Sequence, residues 1–156
     1  MAIHKQYHSN PEVCYVDTAS YPGRSAVTAV VVDHQGNAVS SCSVNTSRTD
    51  TGEVAITLAI MGTRASVIIW DSKTAMRNYA RGRVSTEAAR ILRTRSETTA
   101  RQVRLVWTPA HSSLPGNEMA HEDSATRLTP SPKRCLLTRG EGIGSGHIRK
   151  LHSTIG

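Results

Sequence analysis

The stretch AVTAVVVD, residues 26–33, constrains this chain more than any other. It is apolar from end to end and rich in β-branched valine. A segment of that length without polar alternation reads as a buried strand. Just before it, residues 12–17 alternate: Val13, Tyr15 and Asp17 share one face, Cys14 and Val16 the other. Between the two, S-Y-P-G-R at residues 20–24 is a turn. After residue 33 a Gln-Gly-Asn turn leads into a weaker alternation over residues 38–44. Three strands joined so closely predict an antiparallel meander.

The period then changes. From Asp50, a candidate N-cap, Val54, Leu58 and Met61 recur at helical spacing until Gly62. Val67–Trp70 is a short apolar run, read as a buried strand leading into Asp71. Ser72 is placed to cap a helix through Ala75, Met76 and Tyr79. Val84, Ala88, Ile91 and Leu92 share one side of the next helix, with Arg83, Arg90 and Arg93 off it. Val103–Trp107 predicts a fifth strand. Residues 108–116 form a loop with Pro109, His111 and Pro115, and residues 117–128 a last helix. The order predicts an α/β fold: a five-stranded mixed sheet, three strands antiparallel and two parallel, flanked by helices.

The ordered domain is expected over residues 12–128. Residues 1–11 are expected to be a flexible N-terminus, and residues 129–156 a basic, Gly- and Pro-containing tail without fixed structure. The glycines of residues 140–146 follow no strand and open no helix, so they fail the context test for dinucleotide binding. The core is built from Val, Ile, Leu and Ala, since the chain has 2 Trp, 4 Tyr and no Phe. Trp70 and Trp107, each at a strand end, read as core anchors. The 3 cysteines, Cys14, Cys42 and Cys135, lie far apart. That argues against a disulfide scaffold and against a CxxC zinc site. No run is long enough to span a membrane, and residues 1–10 carry no secretory signal. The expectation is an intracellular, reducing location.

The formal charge is +7, unevenly spread. Residues 73–104 hold 9 basic and 2 acidic groups, as much excess as the whole chain. The basic set is Lys73, Arg77, Arg81, Arg83, Arg90, Arg93, Arg95, Arg101 and Arg104. Arginine suits bidentate phosphate contact, so a nucleic-acid backbone is one candidate partner and a solvated helix face the other reading.

Three carboxylates sit at informative places. Asp17 closes the first strand, Asp71 closes the fourth, and Glu53 lies in the first turn of the first helix. If the first and fourth strands are neighbours, Asp17 and Asp71 emerge side by side, and the helix is expected to lean Glu53 toward them. Converging carboxylates repel one another unless a cation neutralises them. Hard oxygen ligands select Mg²⁺ or Mn²⁺, and such clusters serve phosphodiester hydrolysis. The plainer alternative is turn capping by the aspartates and a helix-start preference of Glu53.

Four segments carry a family resemblance: YVDTAS over residues 15–20, GEVAITLAI over 52–60, VIIWDSKTAMRNY over 67–79 and VWTPAHSSLPGNEMAH over 106–121. In order and spacing the chain resembles the type 1 ribonuclease H family. The likeness is in particular to the ribonuclease H domain of LINE-type (non-LTR) retrotransposons of arthropods, ticks among them. It covers residues 12–128. The resemblance implies a metal-dependent endonuclease that cuts the RNA strand of RNA–DNA hybrids. It implies Asp17, Glu53 and Asp71 as ligands of two Mg²⁺ or Mn²⁺ ions, and His111 as a mobile catalytic histidine. It implies that Lys73, Arg77, Arg81, Arg83 and Arg90 face the hybrid, and that a reverse transcriptase domain accompanies the module in a longer element.

The chain departs from the family pattern in three places. His121 stands where the fourth carboxylate belongs; an imidazole can ligate Mn²⁺ more readily than Mg²⁺ but brings no negative charge. Thr18 and Ala19 follow Asp17 where the family prefers Gly-Ser. Arg48, Thr49 and Asp50 stand where asparagines often touch the hybrid. These departures motivate the alternative of a ribonuclease H fold that binds nucleic acid without cutting it. A transposase or resolvase core of the same fold is a third reading, and the GNE block after His111 speaks against it.

Overall fold

The computed structural model describes residues 7, 9–45, 51–94, 102–109, 115–126 and 151–154. The strands are β1 (Val13–Ser20), β2 (Ala26–Asp33), β3 (Ala38–Asn45), β4 (Val67–Trp70), β5 (Val103–Trp107) and β6 (Leu151–Thr154). The helices are α1 (Thr51–Gly62), α2 (Lys73–Ala80), α3 (Thr86–Arg93) and α4 (Pro115–Thr126). They build one mixed sheet in the order β3-β2-β1-β4-β5-β6. β1, β2 and β3 form the antiparallel meander, and β1, β4 and β5 pair in parallel. This is the α/β mixed-sheet arrangement that the pattern predicts, and it is consistent with a ribonuclease H-like fold.

β1 and β2 are buried on both faces because helices cover both. On one face Cys14, Val16, Val27, Ala29 and Val31 meet Val54, Ala55 and Leu58 of α1, with Met76 and Tyr79 of α2 and Ile91 of α3 beyond. On the other face Val13, Tyr15, Val30, Val32 and Ile69 meet Ala120 of α4. α1 lies between the sheet and two further helices, so its residues from Gly52 to Met61 are all buried. Cys14 and Cys42 are buried in the α1-side core, and no disulfide joins them.

Local chemistry sets the helix ends. The hydroxyl of Ser72 accepts from the Ala75 amide at 3.3 Å, and that of Ser85 from the Ala88 amide at 3.3 Å. These satisfy N–H groups that the first helical turn leaves unpaired. α4 begins at Pro115, two residues earlier than the spacing predicts, because proline's fixed φ and missing N–H suit the first helical position. Gly116 lets that helix sit close to the sheet: a Cβ there would stand 2.3 Å from the Tyr15 ring.

Two expectations about the termini are corrected. Residues 1–11 are not wholly loose, since Tyr7 is buried against the α4-side core and its carbonyl accepts from the Asn10 amide at 3.2 Å. Within the tail, β6 pairs in parallel with β5, Val103 opposite Leu151, which makes the sheet six-stranded. Backbone ladder bonds need no side-chain pattern, so this strand left no period to read. The remainder of residues 129–156 lies outside the described residues, as do Asp50 and His111.

Candidate active site

Side-chain alternation decides which carboxylates can meet. In β1, Val13, Tyr15 and Asp17 face α4; in β4, Val67 and Ile69 face the same way, and so does Asp71 in phase with them. The parallel ladder pairs Val13 with Val67, Cys14 with Ile68 and Tyr15 with Ile69. Carried forward, that register sets Asp17 level with Asp71. The two carboxylates therefore converge on the α4 side; Asp71 lies just past the end of β4, whereas Asp17 does not close β1 as expected, since the antiparallel pairing with β2 carries that strand on to Ser20.

Their electrostatics report the proximity. Burial pushes the Asp71 carboxyl above its usual value, and the negative charge of Asp17 pushes it further, while hydrogen bonds from the Trp70 side chain and from its own backbone amide, and more weakly His121, pull the other way. Asp17 is 9% exposed, yet its Oδ2 is well supplied. It pairs with His121 Nδ1 at 2.9 Å and accepts from the Ser124 hydroxyl at 2.8 Å. Both partners lie on one side of α4, and the closeness of that helix at Gly116 brings them within reach. His121 is exposed, its side chain 58% accessible, and forms the outer wall of the site.

Glu53 is not brought into this pair, which corrects the expectation that α1 leans it toward the aspartates. α1 packs on the opposite face of the sheet. The Glu53 side chain turns to α2 and α3. Its Oε1 accepts from Asn78 Nδ2 at 2.9 Å and its Oε2 from the backbone N–H of Ser85. Next to it Thr57 donates to the Glu53 carbonyl at 2.8 Å and lies 2.7 Å from the Tyr79 hydroxyl. Burial, with a smaller push from the Glu53 charge, raises that hydroxyl to about 12 against the opposing Thr57 hydrogen bond, so Tyr79 stays neutral.

Among the described residues no three His, Cys, Asp or Glu side chains group closely enough to hold a metal ion. The donor chemistry of Asp17 and Asp71 fits one divalent cation, because two facing carboxylates carry repulsion that such an ion relieves. It does not assemble the three-carboxylate, two-ion cluster. His121, the other expected ligand, spends its Nδ1 on Asp17.

The expected basic surface divides. Arg77, Arg81 and Arg83 are exposed along the second half of α2 and the turn after it. Arg90 is exposed too, but its guanidinium grips Glu87 through Nε at 3.1 Å and Nη2 at 2.5 Å. Lys73 lies with its Nζ 3.7 Å from the centroid of the Trp107 ring. Trp70 is a core anchor, 3% exposed. Trp107 is only partly so: its ring packs at the edge of the core and its Nε1 donates to the Asp71 carbonyl at 2.8 Å. No protein-family model matches the chain, and no curated protein matches it significantly. Among the described residues no helix is long and apolar enough to cross a membrane.

Proposed function

We propose that this domain is a divalent-metal-dependent endonuclease acting on the RNA strand of RNA–DNA hybrids, as its likeness to ribonuclease H implies. The observation that carries the reading is the convergence of Asp17 and Asp71 at matched register on neighbouring parallel strands. A divalent cation there would supply Lewis-acid polarisation of a phosphate oxygen and an acidified water. Asp17 and Asp71 would hold it, and His121 with Ser124 orient Asp17 through its Oδ2. The exposed guanidiniums of Arg77, Arg81 and Arg83 would track backbone phosphates beside the site.

The test is a strand-labelled hybrid incubated with Mg²⁺, with Mn²⁺ and with chelator. RNA-strand fragments that need the metal are the expected result. Cleavage of duplex DNA instead, or cleavage undiminished in chelator, would overturn the assignment.

One observation favours a second reading, a domain that binds hybrids without cutting. His121 is bonded to Asp17 where the family pattern has a further carboxylate, so the site carries less negative charge to draw in cations. Binding without fragments would select it. Both readings share a prediction about the basic surface. Replacing Arg77, Arg81 and Arg83 together by Gln should lower the slope of log affinity against log salt by about 3, roughly one per lost phosphate contact. Fluorescence anisotropy at several salt concentrations measures it, and an unchanged slope would remove these residues from the interface.

A further inference from the structure

We propose that Trp107 is a positioning residue for Asp71, holding the segment from Asp71 to Lys73 at the mouth of the site. The inference rests on reading Asp71 as a cation-binding carboxylate. Asp71 lies one residue beyond the end of β4, whose last ladder bond runs from the Thr108 amide to the Trp70 carbonyl at 2.9 Å. Ser72, the next residue, is already the N-cap of α2. Asp71 is thus the hinge between a strand and a helix.

Its carboxylate also faces that of Asp17, and like charges push apart. Trp107 opposes this from the neighbouring strand. The β4–β5 register pairs Trp70 with Trp107, so the indole emerges beside the hinge. Its Nε1–H donates to the Asp71 carbonyl at 2.8 Å, which extends the strand ladder by one side-chain bond. The face of the same ring carries the Lys73 ammonium at 3.7 Å, a cation–π contact on the first residue of α2. One side chain therefore grips the residues on both sides of the cap. A rotation of the Asp71 peptide, which would carry its carboxylate away from Asp17, breaks the indole bond.

The experiment compares W107F with V44A and D71N by calorimetric titration of Mg²⁺ and Mn²⁺ into the full chain. W107F keeps an aromatic ring and loses the N–H; its cation affinity should fall about tenfold, as loss of a bond that orients a ligand typically does. V44A removes buried surface on β3, at the far side of the sheet from β4; it should lower the melting temperature and leave the affinity of the folded protein unchanged. Wild-type affinity in W107F, with D71N impaired, overturns the role of Trp107 and leaves that of Asp71 standing. Equal affinity in wild type and D71N overturns the cation reading itself. A readout on the wild-type protein avoids any folding defect: the Trp107 indole ¹H–¹⁵N resonance should shift during Mg²⁺ titration with the calorimetric affinity. An indole resonance that stays still while cation binding saturates overturns the proposal.

Discussion

Asp71→Asn should abolish metal-dependent cleavage, by about 10³-fold or more, while the metal-free domain becomes more stable. Both effects have one cause. Asn keeps the size of the side chain and leaves the backbone carbonyl in place for the Trp107 indole, but it removes one of two facing negative charges. The site then loses half of its demand for a cation, and the transition-state stabilisation that a cation gives is the largest contribution of such a site. Without metal the same charge is a burden. The Asp71 carboxyl is raised in the folded state by burial and by Asp17. A carboxyl raised on folding adds stability that is full below its unfolded value and is lost as pH rises through its folded value. Above that window the wild-type fold bears the repulsion and the Asn variant does not. The variant should therefore melt at a higher temperature than the wild type in chelator. Melting curves across the acid-to-neutral range, with chelator and with Mg²⁺, test it. Mg²⁺ should raise the melting temperature of the wild type and leave that of the variant unmoved. A variant that still cuts would end the assignment of Asp71.

The aspartate pair was legible in the chain because two simple periods meet there. Alternation placed Asp17 with Val13 and Tyr15, and the run Val67–Trp70 placed Asp71 one step on, in phase with Val67 and Ile69. Parallel pairing of the two strands did the rest. The Arg90 ion pair with Glu87 was equally open to reading, as a three-residue helical spacing of opposite charges that takes one arginine out of the phosphate-binding set. The position of Glu53 was not. Helical spacing tells which residues of α1 face inward, but not which side of the sheet the helix takes or what crosses its first turn. That follows from packing among α1, α2 and α3, where Gly52 comes so close to Ala75 that a Cβ would stand 2.4 Å from it. The bond between His121 and Asp17 spans 104 residues and has no local signal. β6 had none either, since its observed role is backbone pairing.

Glu53 is where sequence likeness and structure part, and substitution separates them. Glu53→Ala should cost about 2–4 kcal/mol of stability, whatever it does to activity. The side chain is 4% exposed, and both carboxylate oxygens are in use. Its Oε2 lies on the N–H of Ser85, the N-cap of α3, so the positive end of that helix helps to balance the buried charge. Alanine would leave the Ser85 N–H and the Asn78 amide without this acceptor and open a cavity beneath them. Glu53→Gln can keep both bonds, with its oxygen on the Ser85 N–H and its amide donating to a flipped Asn78. It should cost about 1 kcal/mol or less. The decisive measurement is the cation affinity of the Gln variant. A residue that joins α1 to α2 and α3 can lose its charge with the affinity for Mg²⁺ changed by less than about threefold. A cation ligand cannot: its conversion to an amide should weaken binding at least about tenfold, as Asp71→Asn is expected to do. Wild-type affinity in Glu53→Gln beside a large loss in Asp71→Asn would show a site whose cation rests on Asp17 and Asp71. Equal losses in both variants would mean that Glu53 leaves Asn78 and Ser85 when the cation arrives. The N-terminus of α3 would then be released each time the site fills.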